Sequence, residues 1–200
     1  MSMKRIGLTG MSGSGKSYLC KIFEKYGLVS VNSDSLVHVL YSGKNPCTEK
    51  LATLFGNAIL NTDHSINRPK LAEVVFADPE QLALLNRTVH PFVIDKIEAM
   101  AKDYERMGVP AFVIEAPQPF EAGIDRTCDL VISVIADHKT CISRITERDG
   151  LSLERAEKRL ANQHDETFFR EHADFCIDNS HGEDPEKQIR LILSDLGLLT

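Results

Sequence analysis

Residues 10–17 read GMSGSGKS, with glycines at the first and sixth positions followed by a lysine and a serine. That spacing is G-x-x-x-x-G-K-[ST], and the chemistry it suits is the holding of phosphate. Glycine lets successive backbone N–H groups turn inward around an anion without Cβ clashes, and the start of a following helix adds its partial positive charge. Lys16 can reach β- and γ-phosphates as a point charge, and the Ser17 hydroxyl is a ligand for Mg²⁺. Ser12, Gly13, Ser14, Gly15, Lys16, Ser17 and Tyr18 are therefore the candidate ATP-binding residues, with Ser17 the candidate metal ligand.

Such a loop serves kinases, GTPases and motors alike, so the second half of the reaction must be sought elsewhere. The N-K-x-D string that reads guanine is absent. Asp34 stands in VNSDS, at the end of a strand-like run. Ligands of open parallel sheets sit at the carboxyl ends of strands, so a carboxylate there could accept the proton of an attacking hydroxyl or hold a metal-bound water. Equally, Asp34 could cap the helix that begins SLVHVL. Position alone leaves both roles open.

The elements that must position these residues alternate between short apolar runs and longer helical patterns, the signature of an α/β fold with a parallel sheet. Strands are predicted at Arg5–Thr9, Leu28–Asn32, Ala111–Glu115, Leu130–Ile135 and Phe175–Ile177. The first helix carries Leu19, Ile22, Phe23 and Tyr26 on one face and ends at Gly27; the last begins at Asp184-Pro185 and buries Ile189, Ile192, Leu193 and Leu196. Residues 34–107 form a long helical insertion, with helix starts expected at Asn67, Asp78-Pro79 and Pro91. The chain is thus one domain: a core over about 1–33, 108–137 and 173–200, the insertion, and a segment over about 138–172 rich in helix and arginine.

Composition removes other classes. Hydrophobic residues make up 42% and charged residues 26%, so a packed core is expected rather than disorder. A net charge of −6 argues against nucleic-acid or anionic-membrane partners. The five cysteines contain no Cys-x-x-Cys pair and read as reduced packing residues. Without a leader-like start or a long apolar run, a cytoplasmic protein is expected. An oligomeric state is not fixed by any of this.

With GLTGMSGSGKS and NSD go FGNAIL, INRPKLAEVVF, LLNRTVHP, FEAG, RDGLS, RLANQ and ADFCIDN, and in this order they resemble the dephospho-coenzyme A kinase family over nearly the whole chain. The resemblance implies a P-loop kinase core with a five-stranded parallel sheet flanked by helices, a helical coenzyme-binding subdomain and a mobile helical lid. It implies ATP-dependent phosphorylation of the ribose 3′-hydroxyl of dephospho-coenzyme A, with Mg²⁺. By the same resemblance Asp34 becomes the proton acceptor, and Arg68, His90, Glu115 and Pro117 lie toward the acceptor substrate. Arg148 becomes the catalytic arginine of the lid, ahead of Arg144, Arg155 and Arg159, and Asn179 closes the adenine site.

Some positions depart from that pattern. Asn32 stands for an aspartate, His38 for an arginine, Glu115 for an aspartate, Gln118-Pro119 for a leucine pair and Cys141 for a glutamine. They bear on the acceptor rather than on ATP. Two further readings therefore stand beside the first: a nucleotide-binding protein without transfer activity, and a kinase for another small hydroxyl compound.

Overall fold

Strands that are covered on both faces must be apolar throughout, and the runs at Ile6, Leu8, Val113, Ile114, Ile132 and Val134 are fully buried. In the computed structural model, which describes residues 2–199, strand β1 (Lys4–Gly10) leads through the glycine loop into helix α1 (Lys16–Lys25) and strand β2 (Val29–Asn32). Helices α2 (Ser33–Leu40), α3 (Pro46–Phe55), α4 (Arg68–Val75) and α5 (Pro79–Arg106) precede strand β3 (Ala111–Glu115). Then come α6 (Pro119–Ala122), strand β4 (Leu130–Ile135), α7 (His138–Asp149), α8 (Leu153–Ala161), α9 (Glu166–Glu171), strand β5 (Phe175–Asp178) and α10 (Pro185–Asp195). The sheet is five-stranded and parallel, in the order β2-β3-β1-β4-β5. Every predicted strand is present within one residue at either end.

Register fixes what stands at the sheet's carboxyl edge. Leu8 pairs with Glu115, and Gly10 with Val134, so the last residue of β3 and the start of the loop lie close along the same edge. One face of the sheet packs Ile6, Leu8, Val113, Ile132 and Val134 against Leu19, Ile22 and Phe23 of α1 and Ile189, Ile192 and Leu193 of α10. A second cluster joins Met11 and Ile135 to Cys141, Ile142 and Ile145 of α7, Ala156 and Leu160 of α8, and Phe169 of α9. The loop is thereby held between two apolar clusters.

Pro91 does not start a helix. It lies inside the 28-residue α5. A proline there forfeits one backbone hydrogen bond and crowds the preceding turn. The helix nevertheless continues because Val89, Val93, Ile97 and Ala101 repeat every four residues and are all buried, so the apolar stripe runs across the proline.

The chain divides into two compact units. One consists of the chain up to Val31 together with the chain from Ala101 onward, and the other of Asn32–Met100. The second unit opens with three asparagine caps: Asn32 Oδ1 accepts from Ser35 N, Asn45 Oδ1 from Cys47 N and Thr48 N, and Asn67 Oδ1 from Lys70 N. Each satisfies backbone donors that a helix start leaves unpaired.

Candidate active site

The glycine loop can follow its course only with glycine at three of its turns; at Gly13 φ is +79° and an added Cβ would sit 2.5 Å from Cys141 O. At Gly10 φ is +140° and an added Cβ would sit 2.0 Å from Val134 O; at Gly15 φ is +96° and it would sit 2.3 Å from Asn179 Nδ2. The loop closes on itself through Ser14 N to Met11 O at 3.2 Å and passes directly into α1, whose first turn holds no acidic residue. The positive end of that helix is therefore not offset from within the helix. Lys16 lies across the loop, its Nζ donating to Gly10 O at 2.8 Å and Met11 O at 3.0 Å. Tyr18 is exposed just beyond, in the first turn.

Two side chains brace the loop from outside. Arg144 of α7 donates from one guanidinium nitrogen to Gly13 O at 3.3 Å and Ser14 O at 3.2 Å, and from another to Asn179 O at 3.0 Å. Asn179 Nδ2 donates to the same Ser14 carbonyl at 2.7 Å and is buried. Its amide is thus spent on the loop rather than on a local turn. Carbonyls held from behind fix the course of the loop's backbone, and a fixed backbone is what an anion site built of N–H groups requires. Arg144→Met removes charge-assisted hydrogen bonds worth about 1.5–3 kcal/mol each. ATP affinity measured by calorimetry should fall about tenfold or more, with the metal requirement unchanged.

Arg148, favoured by its place in RDG, forms a two-pronged pair with Asp149 at 2.8 Å per bond, and Arg159 joins the same carboxylate at 2.7 Å. The Arg148 fork holds Asp149 below the usual carboxylate range, with Arg159 adding to it. In turn Asp149 raises Arg148, to which the charge of Glu115 contributes. Sequence reasoning had no basis for ranking Arg144 above Arg148, since the two lie four residues apart on one helix face.

Ser17 Oγ donates to Glu115 Oε1 at 2.9 Å, and the Cys20 thiol, one turn further along α1, lies 3.7 Å from Glu115 Oε2. Glu115 is buried, and burial together with the Glu115 charge pushes the Cys20 thiol up to about 12. A hydroxyl beside a carboxylate at the carboxyl edge of a strand suits Mg²⁺, which binds through one or two protein oxygens and completes its shell with phosphate and water. Among the described residues no cluster of three or more His, Cys, Asp or Glu side chains could hold a metal alone. Glu115 thus pairs with the candidate metal ligand Ser17 in addition to its expected place near the acceptor. Pro117, two residues on, accepts from Thr9 Oγ1 at 3.5 Å.

The α8–α9 connection also reaches this edge. Ser12 N donates to Gln163 Oε1 at 2.8 Å, and His164 lies 2.9 Å from Glu121 while stacking on Phe168 at 3.6 Å. Gln163 closes the RLANQ segment that carries the family resemblance, but nothing in that pattern names Ser12 as its partner.

Within the second unit, Asp34 is exposed in the first turn of α2. It is not the cap; Asn32 fills that position, which removes the capping alternative for Asp34. Arg68, in the first turn of α4, places one guanidinium nitrogen 3.1 and 3.2 Å from the two ring nitrogens of His38. Near-equal distances put it against the ring rather than along one lone pair. His90 is half-buried on α5, one residue before Pro91.

The family model for dephospho-CoA kinase matches residues 4–184. Dephospho-CoA kinase from Symbiobacterium thermophilum is 37% identical over 177 residues, covering 88% of this chain and 74% of that protein. The Aquifex aeolicus dephospho-CoA kinase is 34% identical over 195 residues, covering 97% and 98% respectively. Among solved structures, TT1252 from Thermus thermophilus superposes with a TM-score of 0.79 at 29% identity, covering 98% of this chain and 99% of the other. Matched by the family model over most of its length and by these relatives, the chain belongs to the dephospho-CoA kinase family.

Proposed function

We propose that the protein transfers the γ-phosphoryl of ATP to the ribose 3′-hydroxyl of dephospho-CoA, releasing ADP and coenzyme A. The observation that carries this reading is the Ser17–Glu115 pair, seated beside a phosphate loop in a chain that matches the family model from residue 4 to residue 184. Lys16 draws the β- and γ-phosphates into line, and the N–H groups of residues 13–17 hold the β-phosphate. Ser17 and Glu115 would hold Mg²⁺, which when bound offsets charge on the phosphate oxygens. Asp34 accepts the proton of the attacking 3′-hydroxyl as the new P–O bond forms and the bond to the β-phosphate oxygen breaks. Arg148 serves the charge that spreads over the transferred group, trading part of its pairing with Asp149 for phosphate.

Arg68 and His90 contribute to acceptor binding, as does Pro117 through the loop after β3, while Asn179 bounds the adenine side. Residues 138–172 act as a lid, which excludes the water that would otherwise hydrolyse ATP. The chain's five unpaired cysteines suit a reducing compartment, and the reaction belongs in the cytoplasm. Among the described residues no helix is long and apolar enough to cross a membrane.

A coupled assay for ADP with Mg²⁺ and ATP tests the reading. Release stimulated by dephospho-CoA, with one coenzyme A formed per ADP, is the expected result. ATP binding without stimulation overturns it in favour of a non-transferring protein, and stimulation only by a different hydroxyl compound reassigns the acceptor.

A further inference from the structure

Glu115 ends β3 with a side chain flexible enough to point several ways, yet both of its oxygens are engaged. Oε1 accepts from Ser17 Oγ at 2.9 Å, and Oε2 lies 3.7 Å from Cys20 Sγ. Ser17 and Cys20 are three residues apart on α1, so they share the face that looks onto the end of β3. Cys20 and Glu115 are each only 6% exposed, leaving water little access to that oxygen. A thiol is a weak donor and a carboxylate oxygen an acceptor, so in this contact the thiol donates to Oε2. The other polar neighbour of Cys20, Ser30, gives its hydroxyl proton to Glu24 Oε1 at 2.5 Å.

We propose that Cys20 is a positioning residue: its thiol donates to Glu115 Oε2 and so turns Oε1 toward Ser17 and the divalent metal of the nucleotide. The inference rests on reading Ser17 and Glu115 as the protein's metal ligands. It assigns the cysteine neither redox nor nucleophilic chemistry. Partners in the outer shell commonly orient the groups that touch a metal, and their loss weakens metal affinity about 10–100-fold. A thiol, as a weak donor, belongs at the lower end of that range.

Two measurements test this on the full chain, and neither uses dephospho-CoA, so failure of the acceptor assignment leaves the inference standing. In the first, Mn²⁺ is titrated into protein and ADP and followed by paramagnetic resonance. Cys20→Ala should weaken Mn²⁺ about tenfold, leave ADP affinity without metal unchanged, and be largely rescued by Cys20→Ser, which restores a donor. Wild-type Mn²⁺ affinity in Cys20→Ala overturns the proposal, as does an equal loss of ADP affinity without metal, which would mark Cys20 as packing alone.

The second measurement is made on metal-free protein by infrared difference spectroscopy. The S–H band lost in Cys20→Ser should lie in the hydrogen-bonded range with those of Cys128 and Cys141, which donate to Ile124 O at 3.3 Å and Ala136 O at 3.5 Å, and should rise in Glu115→Gln, whose neutral amide oxygen is a weaker acceptor. A Cys20 band that does not move in Glu115→Gln overturns the proposal, and this holds even if Cys20→Ala does not fold.

Discussion

Lys16→Ala lowers kcat by about a thousandfold, at the upper end of what losing one preorganised electrostatic group costs. The ammonium is the loop's only side-chain charge, and it lies on Gly10 O and Met11 O, within the loop that is to receive phosphate. Exchanging two carbonyl acceptors for phosphate oxygens moves it from neutral partners to charged ones, adding the attraction of opposite charges to bonds that are already charge-assisted. The loop's shape does not depend on it, because Arg144 and Asn179 hold Gly13 and Ser14 from outside and Gly10, Gly13 and Gly15 set the turns. Thermal unfolding should therefore shift by no more than about 4 °C, the effect of roughly 1 kcal/mol in a chain of this size. Lys16→Arg should fail to rescue, since a planar fork cannot replace a compact point charge inside a glycine cradle. Turnover within tenfold of wild type in Lys16→Ala would remove the lysine from the mechanism.

That prediction could be written from eight residues, and the reason is physical. Local backbone geometry is nearly sufficient for phosphate binding, and glycine spacing reports local geometry directly. The strands were legible for a related reason, since buried central strands must be apolar over their whole length. Pro91 was misread because the local rule, that proline interrupts a helix, was outweighed by a buried stripe running from Val89 to Ala101. The braces were least legible. Arg144 meets Gly13 across 131 residues and Gln163 meets Ser12 across 151, and no local pattern encodes a partner so distant. Glu115 shows the intermediate case: its place at a strand end could be read, but its pairing with Ser17 and Cys20 depends on register and on the face of α1.

Asp34→Asn should reduce kcat about 10²–10⁴-fold, the usual contribution of a positioned general base, while ATP affinity stays at the wild-type value. The amide keeps the size of the side chain and loses its ability to take a proton. Because Asn32 caps α2, the substitution leaves the helix start intact. What it removes is one negative charge from the first turn, worth about 0.3–1 kcal/mol at an exposed site. Asn32→Ala supplies the complementary control: loss of the cap costs about 1 kcal/mol and lowers the unfolding temperature by roughly 2–4 °C. If Asp34 acts through chemistry, Asp34→Asn loses turnover with little loss of stability, whereas Asn32→Ala loses more stability than turnover. If Asp34 acts only by stabilising the start of α2, its variant instead loses turnover in proportion to stability. Wild-type kcat in Asp34→Asn would exclude the base assignment and return the proton of the 3′-hydroxyl to solvent or to the phosphate itself.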